Sequence, residues 1–176
     1  DAFIAEPRGI GMQMRSWINS LANVWPSEHE LIIGVTKDAV VPQYLTFQAG
    51  VTIHRSVSNE LETYIDDLYS LQVDQIVLPQ ATADYWRDSS IIKVAVDYGL
   101  EDYYCKDVLP PKTTTEILAK HEYAMTHFDK IITVSQTSLR DLTHFFPDYQ
   151  SKITVIYPVS PMQLTESPLP SLVKTN

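Results

Sequence analysis

The 176-residue sequence has one cysteine, Cys105, and only five glycines. A single cysteine excludes a disulfide framework and leaves a zinc cluster short of thiolates. No motif sets a base beside it, so Cys105 reads as a buried or incidental thiol. Cationic side chains are also scarce: 13 Lys and Arg face 22 Asp and Glu, for a net charge of −9. Phosphate-driven binding of nucleic acid needs clustered cations. None are found, so nucleic acid is excluded as a partner, and the acidity reads as a device for solubility. No apolar run approaches the roughly 18 residues that cross a bilayer, so no transmembrane segment is expected. No secretory leader opens the sequence. The expected location is the cytoplasm, at most peripheral to the inner face of the membrane.

What is present is periodic. "MQMRSWINSLANVW" sets Ile10, Met14, Trp17, Ile18, Leu21 and Trp25 on one helical stripe that Pro26 breaks. Compact apolar runs follow at 29–35, 51–55, 75–79, 90–98, 130–134 and 152–157, each read as a strand. Between them lie helical patterns. One runs from an N-cap at Ser58 to about Leu71, with Leu61, Ile65 and Leu68 inward. Another opens with a capping box, Thr113 and Glu116, and keeps Ile117, His121, Ala124, Met125 and Phe128 on one face. A third covers about 136–145. Alternating helices and near-continuous apolar strands predict an α/β domain, a Rossmann-like three-layer sandwich around a mainly parallel sheet. The domain is expected over 1–160. The tail from 161, with Pro161, Pro168 and Pro170, reads as a linker to 176.

In an open parallel sheet, ligands collect beyond the carboxyl ends of the strands. Ser135 ends a strand and starts a helix there. It either caps the helix only, or shares with Gln136 a helix start that receives a phosphate or a sugar hydroxyl. "EPRGIG" opens on the same edge: Gly9 and Gly11 permit close backbone approach, and Arg8 either meets a phosphate or carboxylate or faces solvent. Asp97, Tyr98 and Asp102 follow another strand; the two carboxylates are acid–base candidates or merely solvated. His121 reads as a core or boundary residue. His29, His54, His127 and His144 have no metal-ligand spacing, and no metal is expected. The glycine pair is not a dinucleotide fingerprint, because Met14 takes the third glycine's place and Asp38 falls late for a ribose contact.

Two stretches resemble one family. "GIGMQMRSWINSL" looks like the glycine loop and first helix of retaining glycosyltransferases of the GT-B fold, glycosyl transferases group 1 (family 4). "FDKIITVSQTSLRDLTHFFPDYQSKITVIYPVS" resembles the end of that family's N-terminal domain, through Asp129, Ile131–Ser135, Ser138, Asp141, Leu142, Lys152, Ile153, Val155 and Ile156. The resemblance implies one lobe of a two-lobe hexosyltransferase of carbohydrate biosynthesis. This lobe would hold the acceptor, a saccharide or lipid-linked saccharide. Its partner, an absent C-terminal domain, would bind most of the nucleotide-sugar donor. No cofactor is implied. The substrate cleft would take Arg8, Gly9, Gly11, Asp97, Tyr98, Ser135 and Gln136, with Asp97 the candidate for catalysis. Two departures stand out: the family's V-H-D histidine place holds Val96, and its N-G-V place reads Pro158-Val159-Ser160. The isolated lobe is expected to be catalytically silent. The alternative is a non-catalytic Rossmann-like binding or regulatory module; an NAD-dependent sugar-nucleotide enzyme is a weaker one.

Overall fold

The computed structural model describes residues 10–41, 50–78, 90–100, 104, 107–108 and 111–158. In chain order its elements are helix α1 (Ile10–Val24), strands β1 (Leu31–Val35) and β2 (Val51–Arg55), helix α2 (Leu61–Ser70), strands β3 (Gln75–Leu78) and β4 (Ile92–Asp97), helix α3 (Pro111–His127), strand β5 (Lys130–Thr133), helix α4 (Gln136–Phe145), a 3-10 turn (Pro147–Lys152) and strand β6 (Ile153–Val155). Every strand pair is parallel. The strands form two sheets, β1-β2 and β3-β4-β5-β6. The protein is therefore an α/β fold of the Rossmann-like, three-layer kind.

Register explains which side chains meet. Leu78 lies opposite Ala95, Ala95 opposite Ile131, and Ile131 opposite Ile153. These four share one face and pack in one core with Leu68 of α2, Met125 and Phe128 of α3, and Leu142 of α4. Helices α2, α3 and α4 therefore cover the same face. Strand β4 is buried over its last four residues, as a central parallel strand must be. The edge strand β3 alternates between buried and exposed. A smaller core joins Ile33, Val35 and Ala39 with Ile18 of α1. On the opposite face of β1, Gly34 lies against α2: a Cβ there would sit 2.8 Å from Leu68 Cδ2 and from the Tyr64 hydroxyl. Helices α1 and α2 thus sandwich β1, and glycine is needed at 34 for the close approach of α2.

Four local expectations shift. Leu21 is 44% exposed while Ala22 and Gly11 are buried. Helix α1 is rolled toward its small residues, which let it sit close. Helix α2 starts at Leu61 with Glu60 as its N-cap residue; the Ser58 hydroxyl instead accepts from Glu60 N at 3.0 Å, closing the turn before it. Helix α3 begins at Pro111, where a missing N–H costs nothing, so Thr113 lies inside the first turn and not at the helix start. Strand β2 matches its run, and the other five strands are one to three residues shorter than their apolar runs. The tail from 161 lies outside the described residues.

Several residues of the second stretch hold this frame. Asp129 Oδ2 accepts from Lys93 N at 2.8 Å, and Asp129 N donates to Lys93 O at 2.9 Å, which pins the start of β5 to β4. Lys152 Nζ donates to the carbonyls of Met125 and Phe128 at 3.1 and 2.9 Å. A cation there satisfies carbonyls left open at the end of α3 and complements its dipole.

Candidate functional site

The carboxyl edge of β4 and β5 is organised by Asp97. Register sets Asp97 beside Thr133, on the face that α3 covers. Its carboxylate is buried and saturated with partners. Oδ1 accepts from Gly99 N at 2.9 Å, and Oδ2 lies 2.7 Å from His121 Nδ1. A carboxylate against Nδ1 accepts from that nitrogen and fixes the orientation of the ring. Asp97 is thus neither solvated nor free. His121 sits at the inner face of α3 as its spacing suggests, yet its polar edge meets the strand end.

Ten residues of α3 precede His121, a rise of about 15 Å. Because His121 is level with the last residue of β4, this part of α3 stands above the sheet's carboxyl edge.

The next strand end is tied to the same corner. Ser135 caps α4, its Oγ accepting from Ser138 N at 3.0 Å. The two serine hydroxyls are 2.9 Å apart, and Ser138 Oγ donates to Tyr98 O at 3.2 Å. The turn after β4 is therefore bonded to the first turn of α4. Tyr104 OH donates to Asp141 Oδ1 at 3.0 Å, and its ring meets Phe145 edge-on at 6.3 Å. The second Asp141 oxygen makes no hydrogen bond among the described residues.

These groups surround an open depression of about 490 Å³ lined by Gly99, Leu100, Tyr104, Ser135, Thr137, Ser138 and Asp141. Its lining is hydroxyls, one carboxylate, one aromatic ring and backbone. Among the described residues no lysine or arginine lines it; Arg140 donates to Thr137 Oγ1 at 3.3 Å. Such a surface suits a polyhydroxylated ligand, whose hydroxyls donate to oxygen acceptors while a ring face lies on Tyr104. Among the described residues a phosphate would gain the α4 N-terminus alone and would meet Asp141.

The sequence-predicted residues divide as follows. Ser135 lines the depression, and Asp97 lies beneath it through Gly99. Gln136 is exposed at the first position of α4, outside the lining. Tyr98 contributes its carbonyl, but its hydroxyl is buried with no hydrogen-bond partner among the described residues, and burial pushes the phenol up to about 12. Gly11 is buried at the start of α1. Arg8, Gly9, Asp102 and Cys105 lie outside the described residues. Asp38 is engaged by Asn59, whose Oδ1 accepts from Asp38 N at 3.1 Å and whose amide donates back to its carboxylate. Among the described residues no group of three His, Cys, Asp or Glu side chains could hold a metal, and no helix is long and apolar enough to cross a membrane. Sequence reasoning missed Thr137, Ser138 and Asp141 as lining groups, although "SQTSLRD" sets them on one side of a short helix by i, i+3 and i+4 spacing.

Comparison with protein-family models, with curated proteins and with solved structures returns no match for this chain. The fold and site therefore stand on their own geometry.

Two outcomes follow. Asp97→Ala and His121→Ala should each destabilise the fold by about 2–3 kcal/mol, because each leaves a buried polar group unpaired. A double-mutant cycle by denaturant titration should give a coupling of about 1–3 kcal/mol; additive losses would deny the pair. Tyr98→Phe removes a buried hydroxyl without a partner and should stabilise by up to about 1 kcal/mol at pH 8. The raised phenol favours the protonated form in the folded state. Its contribution is complete below the unfolded value of about 10 and is lost as pH rises toward about 12. Unfolding followed from pH 8 to 12 should show a steeper alkaline loss in the wild type than in Tyr98→Phe.

Proposed function

We propose that this chain is the acceptor-side lobe of a retaining, two-lobe glycosyltransferase that moves a sugar from a nucleotide-sugar to an acceptor hydroxyl. The observation that supports the reading is an open depression at the carboxyl edge of a parallel sheet, lined among the described residues by hydroxyls, a carboxylate and an aromatic ring and by no cation. The acceptor, a saccharide or lipid-linked saccharide, rests on Tyr104 and donates hydroxyl hydrogens to Asp141, Ser135 and Thr137. The donor diphosphate is bound by basic groups and helix starts on a second lobe. Asp97 and His121 hold the β4 turn rigid beneath the acceptor, so that its nucleophilic oxygen is presented in one orientation. The resemblance of "FDKIITVSQTSLRDL" to the family's N-terminal domain supports the same reading.

One observation favours the alternative, a non-catalytic binding module. Val96, in the family's histidine place, is 1% exposed, and strand alternation turns it to the face opposite Asp97. No imidazole stands there.

The test is nucleotide release from UDP- and GDP-sugars, with and without saccharide acceptors, by this chain alone and by the full-length protein. The chain alone should release none, and the full-length protein should release nucleotide in the presence of acceptor. Tyr104→Ala and Asp141→Ala should raise the acceptor KM by about tenfold and leave the donor KM within about twofold. Turnover by the isolated chain would contradict the lobe reading. Saccharide binding by the full-length protein without release from any donor would establish the non-catalytic module instead.

A further inference from the structure

A second corner of the carboxyl edge, at the ends of β1 and β2, is organised by a cation. Arg55 is the last residue of β2. Its Nη1 alone donates to three carbonyls of the turn after β1: Thr36 O at 3.2 Å, Lys37 O at 2.8 Å and Ala39 O at 2.8 Å. That turn is itself fixed. Ala39 N donates to Thr36 O at 3.2 Å, and Lys37 N donates to Ser58 O at 3.3 Å. Asn59 bonds both the amide and the carboxylate of Asp38. The guanidinium is therefore held by one nitrogen against a rigid turn. The Nε and Nη2 hydrogens, on its other edge, meet no partner among the described residues. These two groups form the parallel fork that grips an oxyanion through two oxygens.

The surrounding charge is as specific as the tether. Arg55 and Lys37 are both exposed. Neither is paired with a carboxylate among the described residues. Asp38 is engaged by Asn59. Asp67 accepts from Val57 N at 3.3 Å and faces His54 at 3.6 Å, on the α2 side of the sheet. Register sets Arg55 opposite Val35, on the α1 side. Two cations thus share one corner of a chain whose net charge is −9. The corner lies where open α/β sheets receive ligands, apart from the depression at the ends of β4 and β5.

We propose that Arg55 and Lys37 form a binding site for the phosphate of a soluble phosphate monoester. The Arg55 fork takes two oxygens and the Lys37 ammonium takes the third. Two positive charges match the dianion, whereas a carboxylate would leave Lys37 unused. The chain's net charge repels an anionic lipid surface, so the phosphate belongs to a soluble molecule. Because three carbonyls already orient the guanidinium, little side-chain freedom is lost on binding. The inference does not depend on the glycosyltransferase reading.

The side-chain Nε–H signal of Arg55 reports on the fork directly in the unmodified chain. Inorganic phosphate and a hexose phosphate should each move it saturably at millimolar concentration, together with the amides of Lys37 and Asp38. Chloride at equal ionic strength should not. Lys37→Gln leaves the carbonyl tether in place and should weaken phosphate about two- to fivefold. Arg55→Lys keeps the charge, removes the fork and should weaken it about tenfold. An Nε–H signal unmoved by phosphate, or moved equally by chloride, would overturn the proposal. So would equal affinity in Lys37→Gln, or capture by phosphatidic acid vesicles with no response to the soluble phosphates.

Discussion

The buried carboxylate of Asp97 is the constraint on which the site depends. A carboxylate removed from water is costly unless hydrogen bonds replace its hydration. Here Gly99 N and His121 Nδ1 provide them, at 2.9 and 2.7 Å. These two contacts bind three elements. They fold the turn after β4 back on itself, dock α3 against the sheet end, and set Tyr98 O where Ser138 receives it as an acceptor. Through Ser138 and Ser135 the same turn is joined to the start of α4. The lining of the depression is positioned by a chain of hydrogen bonds that begins at one carboxylate.

The architecture around that corner is asymmetric. Helices α2, α3 and α4 pack on one face through a single core, and α1 lies on the other. The early part of α3 rises beyond the strand ends, giving the carboxyl edge one lateral wall. A surface of this form is suited to closing against a second body, and its hydroxyl, carboxylate and aromatic groups match a saccharide better than an anion.

Much of the fold was legible in the sequence because burial on both faces leaves an unambiguous mark. The run "IITV" and the helix from Gln136 to Phe145 fell where periodicity put them, and Ser135 caps that helix through its own hydroxyl. Element boundaries were less legible. The end of an apolar run does not mark the last ladder hydrogen bond, so strands came out shorter. Pro111 started α3 before the polar capping pair, because a fixed φ outranks a side-chain cap. The division into two sheets could not be read at all: strand order is a long-range property, and no local pattern reports it. In the site, Ser135 and Asp97 were visible as polar residues at strand ends. His121 was not, because one polar residue on an apolar helix face looks the same whether it borders solvent or meets a carboxylate 24 positions away. Asp141 was hidden for a similar reason, since its partner Tyr104 lies 37 positions away.

The central claim is that the depression between the β4 turn and α4 receives a saccharide. The most direct test is a titration of the isotope-labelled chain with acceptor-type oligosaccharides at millimolar concentration, followed by amide chemical shifts, with UDP and GDP as comparison ligands. The account predicts saturable shifts confined to Gly99, Leu100, Tyr104, Ser135, Thr137, Ser138 and Asp141, and weaker or no shifts there with the nucleotides. Saccharides that leave these amides unmoved, or nucleotides that move them more strongly, would contradict it.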